Sequence, residues 1–411
     1  MAVSTDFAPP FKLIAPYFII GAVVFVLSTF LLFTFDTTTI QSVEPNLLAW
    51  VHLFLLGFVM MVIFGAMAQL VPVVLEVGHF AVDLYYIIYP LLLIGTILMA
   101  IGFVFVPILL PFGGLTVLIA LSVFLFETFL TIKKVEKYNF VIISVLIANI
   151  FLAVGMIFGI IMALGYAGVI VVDIPALLHA HIFLVFVGYV GVTIMGMSLI
   201  LLPMFWLSHG FSWDYVKSAL LTLSLGVTSI TLSPILDIAI LDTIGYILSI
   251  IASTLYFYQV YIIYKKRVRI ENDIYFISLI FSYISLLAAL ILAMLYLLIP
   301  SENLIISIGW LLIGGYVSFL IIGHLYKIVP FLVWYERFSP LVGKEKVPML
   351  ADMIPQKSAN LQFWLNALGI IISTAGILFA SNEIFYSGVS FLSVGSLFVL
   401  KDIIYMIRFK S

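Results

Sequence analysis

Long apolar runs separated by short polar breaks fill this chain, and the runs do not alternate residue by residue. Twelve stand out, at about 13–35, 46–74, 84–106, 110–132, 140–165, 176–207, 216–236, 243–264, 274–299, 304–333, 361–380 and 384–407. Each is of order 20 residues or longer, the length a helix needs to cross a bilayer core. The missing two-residue alternation argues against strands. In lipid, backbone polar groups must be satisfied within a helix or a closed barrel. The expectation is an all-α polytopic membrane protein of twelve transmembrane helices, with residues 1–411 forming a single integral membrane domain.

The polar breaks carry charge in a regular way. Lys12, the Lys133–Lys134–Lys137 cluster, Lys217, Lys265, Lys266, Arg267, Arg269, the Arg337 to Lys357 loop, Arg408 and Lys410 fall on one side once twelve spans are drawn. The opposite side holds Asp36, Glu44, Asp173, Asp237, Asp242, Glu302 and Glu383, without Lys or Arg. By the positive-inside rule, the basic loops and both termini are expected in the cytoplasm. The start, with Asp6, Pro9 and Pro10 before the first span, does not read as a signal peptide. The expected location is the plasma membrane of a prokaryote. The longest polar loop, from about Glu336 to Asn360, is expected to be a solvated cytoplasmic cap.

Within the apolar runs one spacing occurs three times: Gly57, Gly65 and Pro72; Gly188, Gly196 and Pro203; Gly315, Gly323 and Pro330. An acidic residue precedes each copy, Glu44, Asp173 and Glu302. The copies fall on the second, sixth and tenth spans, which run in the same direction. This divides the chain into repeats at approximately 1–135, 136–266 and 267–411, expected as three pseudo-symmetric four-helix arcs. Small residues at helical spacing let helices approach closely, so packing alone can account for the glycines. The prolines are expected to end or kink each helix.

Composition narrows the chemistry. Hydrophobic residues make up 65% and charged residues 9%, which fits lipid as the main partner. The formal net charge of −2 and the low charge content leave no expectation of a nucleic-acid partner. Cysteine is absent. That excludes disulfides, cysteine-ligated iron–sulfur clusters, thiolate copper centres and covalent haem attachment through Cys-x-x-Cys-His.

The histidines are the residues the repeats do not share. His52 and His181 each come eight residues after the acidic marker, Glu44 or Asp173; the same count from Glu302 reaches Trp310. Eight residues of helix rise about 12 Å, so the two imidazoles are expected at one depth below the extracytoplasmic surface. Two imidazoles at one depth can supply both axial ligands of a haem iron, or part of a copper or zinc site. Two unrelated histidines, each hydrogen-bonded to a neighbour, is the plainer account. His179 and His181 point roughly 200° apart on a helix, so His179 is expected to face a different neighbour or to contact a haem propionate. His324, near the cytoplasmic end of the tenth span, and Glu127 and Gln69, inside the fourth and second, are candidates for a proton path. Glu127 could equally snorkel toward the interface. His79 and His209 are expected to be loop residues without a special role.

The twelve spans and local wording resemble the catalytic subunit of haem–copper oxidases. The wording includes His52-Leu-Phe-Leu-Leu-Gly57, His179-Ala-His181 with Leu-Pro-Met204, and Gly323-His324-Leu-Tyr-Lys-Ile-Val-Pro330. The resemblance covers nearly the whole chain and points to the divergent proteins described as cytochrome oxidase subunit I-like. It implies His52 as a low-spin haem ligand and His181 or His179 at the copper position. It also implies a respiratory role, with a cytochrome or cupredoxin-like redox partner. The chain departs from the family in three places. Trp310 stands in the region of the tenth-span His-x-His, residues 213–240 contain no histidine pair, and Val185 or Phe183 replaces the sixth-span tyrosine. An oxygen-reducing copper centre is therefore not expected. The functional expectation is haem, with copper as a further candidate, bound near the extracytoplasmic face for electron transfer or diatomic-gas binding. A membrane transporter or metal permease, and a non-catalytic accessory or sensor subunit of a respiratory complex, are the alternatives.

Overall fold

The computed structural model describes residues 9–38, 40 and 44–410. Asp6 and both terminal residues, which bear on the start of the chain and its orientation, lie outside the described residues. Twelve helices are long and apolar enough to cross a membrane: α1 Phe11–Thr34, α2 Pro45–Leu75, α3 Val82–Val104, α4 Leu109–Ile132, α5 Phe140–Tyr166, α6 Ile174–Trp206, α7 Asp214–Leu236, α8 Ile240–Lys265, α9 Ile274–Leu298, α10 Glu302–Arg337, α11 Gln356–Leu378 and α12 Asn382–Ile407. No strand occurs among the described residues. The protein is an all-α integral membrane protein, and large apolar side chains such as Phe105, Phe112, Leu221 and Ile235 are exposed where lipid would meet them.

The three acidic markers sit at helix starts. Asp173 caps α6, its side chain accepting from the Ala176 amide at 3.1 Å. Glu44 is the residue before α2, whose first position is Pro45, and Glu302 opens α10. A carboxylate there satisfies an orphan amide or opposes the positive end of the helix dipole. The prolines do not end their helices at once. α2 runs past Pro72 to Leu75, α6 past Pro203 to Trp206, and α10 past Pro330 to Arg337. A proline removes one hydrogen bond, but ending the helix within an apolar span would orphan many more backbone groups.

Hydropathy gave no sign of one further feature. The second helix of each repeat widens into a π-helical stretch: Leu55–Met60 in α2, Phe183–Gly191 in α6 and Leu311–Val317 in α10. Eight residues along a regular α-helix leave two side chains about 80° apart. The wider π turns absorb part of that angle, which lets both glycines of a copy face one neighbour. A Cβ on Gly57 would lie 2.7 Å from Val24, and one on Gly65 2.7 Å from Tyr17, both on α1. In the third copy, Gly315 and Gly323 meet Ser285 and Ser278 on α9 in the same way. In the second, Gly188 and Gly196 meet Phe151 and Ser144 on α5. The shared glycines therefore seat the first helix of each repeat against the second.

Two compact units emerge from the packing. One is Leu70–Glu271 and contains α3 to α8; the other joins Pro9–Gln69 to Asn272–Ser411 and contains α1, most of α2, and α9 to α12. In the first unit, α3 crosses α4 where Gly95 and Gly113 face each other, and α7 crosses α8 at Gly226 and Gly245. In the second, α11 crosses α12 at Gly369 and Gly388, and the Thr29 hydroxyl of α1 meets Ser396 of α12 at 3.0 Å. At each of these three crossings, a Cβ on either glycine would stand 2.7 to 3.0 Å from the other's carbonyl oxygen. Only glycine allows the backbones so close.

The segment read as a solvated cap is partly folded onto its own unit. The Trp334 indole donates to the Pro348 carbonyl at 2.9 Å, Met353 is fully buried, and Glu336 accepts from the Phe11 amide at 2.8 Å.

Candidate functional site

His52 lies on α2, three residues before the π stretch, and its Nδ1 stands 2.7 Å from the Leu48 carbonyl one turn earlier. His181 lies on α6, two residues before its π stretch, with Nδ1 3.0 Å from the Gly155 carbonyl of α5. A carbonyl oxygen can only accept, so Nδ1 carries a proton in both rings. Glycine at position 159 shapes the second site: a Cβ there would come within 3.0 Å of the His181 ring. Both histidines are half-buried. They belong to different units, His52 with Pro9–Gln69 and His181 with Leu70–Glu271.

In the third copy the same register is packed shut. The Trp310 indole donates to Ser373 at 3.0 Å, and its ring lies 5.8 Å from that of Trp50. Both tryptophans are buried and border a void of about 10 Å³, room for roughly one water molecule.

The remaining sequence candidates separate. His179 is exposed, on the far side of its helix from the half-buried His181, as a two-residue helical spacing requires. His324 is buried in α10, its Nδ1 2.7 Å from the Leu320 carbonyl and its ring edge-on to Tyr275 at 5.1 Å. Lys327, one turn on, pairs with Asp273 at 2.5 Å. Gln69 is buried, and its Oε1 has no hydrogen-bond partner among the described residues.

Glu127 and His79 come together. Glu127 does not snorkel; it is wholly buried. His79 does occupy a loop, but its side chain is 3% exposed and its Nδ1 lies 2.9 Å from Glu127 Oε1. The same oxygen accepts from the Phe80 amide at 3.1 Å and the Thr131 hydroxyl at 2.7 Å. Lys134 covers this corner by donating to the Gly78 and His79 carbonyls. The loop returns to α4 because the buried carboxylate needs donors, and a loop histidine and a loop amide supply them. Sequence reasoning also missed Asp402, fully buried in α12 and accepting from the Tyr326 hydroxyl at 2.7 Å. Its one visible signal was an acidic residue within the last apolar run.

The donor set bears on what could bind. Among the described residues, no group of three or more His, Asp or Glu side chains is placed to hold a metal ion. A copper or zinc ion held by protein alone takes three or four ligands. A haem brings four nitrogens of its own and needs one or two axial ligands, so it asks fewer side chains of a protein than a bare ion does. No protein-family model matches the chain, and no curated protein matches it either.

Proposed function

We propose that this protein is a divergent relative of the haem–copper oxidase catalytic subunit. It uses His52 and His181 to ligate haem near its extracytoplasmic face, without an oxygen-reducing copper centre. The observation that carries the reading is the matched state of the two imidazoles. They stand at equivalent positions of two repeats, each next to a π stretch, and each is held by Nδ1 on a backbone carbonyl. Such anchoring fixes tautomer and ring orientation in histidine ligands. A haem held there would supply one-electron transfer or a site for a diatomic gas. The Gly155 carbonyl and the space left by Gly159 orient His181; the Leu48 carbonyl orients His52. The acidic loops mark the extracytoplasmic face by the positive-inside rule, where a cytochrome or cupredoxin-like donor would dock.

The test is a reduced-minus-oxidised optical spectrum with metal analysis of the purified protein. A Soret band that His52→Ala and His181→Ala each remove, and His324→Ala does not, supports the proposal. A preparation without a Soret band or stoichiometric metal overturns it.

A transporter is the second reading, favoured by the π stretches inside α2, α6 and α10. π turns inside helices often fall at functional sites. Metal-ion uptake by proteoliposomes, with no absorbing cofactor, would select it.

A further inference from the structure

The fourth helix of each repeat carries one buried polar residue at the same place. Counting 14 residues from the glycine that faces the third helix leads from Gly113 to Glu127, from Gly245 to Gln259 and from Gly388 to Asp402. All three residues are at most 1% exposed. Each ties the fourth helix to neighbouring parts of its own repeat. Glu127 accepts from Phe80 and His79, just ahead of α3. Gln259 donates to the Ser212 carbonyl at 3.0 Å and accepts from the Val216 amide at 3.4 Å, at the start of α7. Asp402 accepts from Tyr326 on α10 and lies beside Ser358, near the start of α11.

The middle copy separates two roles. Gln259 performs the tie with a neutral amide, so the shared task does not require charge. The other two copies nonetheless place carboxyl groups in an apolar span, where ionisable residues are costly and usually functional. Glu127 Oε1 accepts three direct hydrogen bonds and Asp402 Oδ2 accepts the Tyr326 hydroxyl, while among the described residues Glu127 Oε2 and Asp402 Oδ1 have no hydrogen-bond partner. Addition of a proton would cancel the buried charge and turn an oxygen into a donor.

We propose that Glu127 and Asp402 are repeat-related, reversible proton-binding sites, and that Gln259 is their proton-silent counterpart. The step is uptake of one proton by a carboxylate to give a carboxylic acid, and no electrons move. The titratable and charged groups around Glu127 are His79, Tyr85, whose ring lies 5.3 Å from that of His79, and Lys134. Around Asp402 they are Tyr326 and Lys401, whose amine reaches Ser358 at 3.2 Å. None of these is a proposed haem ligand, so the inference stands apart from the cofactor reading.

Infrared difference spectra of the purified full-length chain, recorded across an acidic-to-neutral titration in H2O and D2O, test it. The expected result is two buried carboxylic-acid bands that shift in D2O. Glu127→Gln removes one, Asp402→Asn the other, and the double variant both, with folding retained in each case. The inference is overturned if the wild type lacks these bands or the double variant keeps them. It is equally overturned if the amide variants fail to fold, because the carboxylate charge would then itself be structural.

Discussion

Glu127 Oε1 lies 2.9 Å from His79 Nδ1, and the two side chains are 0% and 3% exposed. One belongs to the middle of a helix and the other to a loop 48 residues earlier. The contact converts a polar loop residue and a stray intramembrane carboxylate into one closed corner, completed by Phe80, Thr131 and Lys134.

Deleting the carboxylate strands its donors. Glu127→Ala leaves the His79 ring and the Phe80 amide without this acceptor, and breaking a buried pair costs about 3–5 kcal/mol. A lower thermal midpoint in detergent is expected for Glu127→Ala. Glu127→Gln keeps an acceptor and should lose much less. Equal losses from the two variants would show that charge, not hydrogen bonding, holds the corner.

The shared glycines are packing residues. Gly57→Leu would drive a side chain into Val24, and overpacking of this kind costs about 1–3 kcal/mol or more. Gly309 has nothing within 4 Å of an added Cβ. Gly309→Ala is therefore expected to be neutral or to stabilise by roughly 0.5–1 kcal/mol through higher helix propensity. Thermal melts of both variants check the contrast.

Gly159 links packing to the proposed cofactor. Gly159→Val puts atoms where the His181 ring lies, since even a Cβ would come within 3.0 Å. The expected outcome is loss of Soret absorbance matching that of His181→Ala, with His52 untouched. A spectrum identical to wild type would remove His181 from the ligand set.

The twelve helices were legible because hydropathy is a property of each residue with respect to its solvent, and runs of it can be counted along the chain. The motif glycines were legible as packing residues for a similar reason: their helical spacing recurs in three copies. Of the two outcomes expected at the prolines, only an immediate helix end is excluded, since the helices run on past Pro72, Pro203 and Pro330. The pairing of Glu127 with His79, and of Tyr326 with Asp402, could not be read in advance. Their partners are 48 and 76 residues apart, and no local pattern encodes such distances.

The amino-acid sequence alone determined the membrane environment, the number of crossings and the threefold recurrence of one Gly/Pro spacing, because each depends on solvent transfer and spacing within one segment. Only the tertiary structure decided which buried polar groups meet and where the helices widen into π turns. It also revealed that His52, His181 and His324 each anchor Nδ1 to a backbone carbonyl. Those outcomes depend on the competition of donors and acceptors across separate helices, which exists only once the helices are packed.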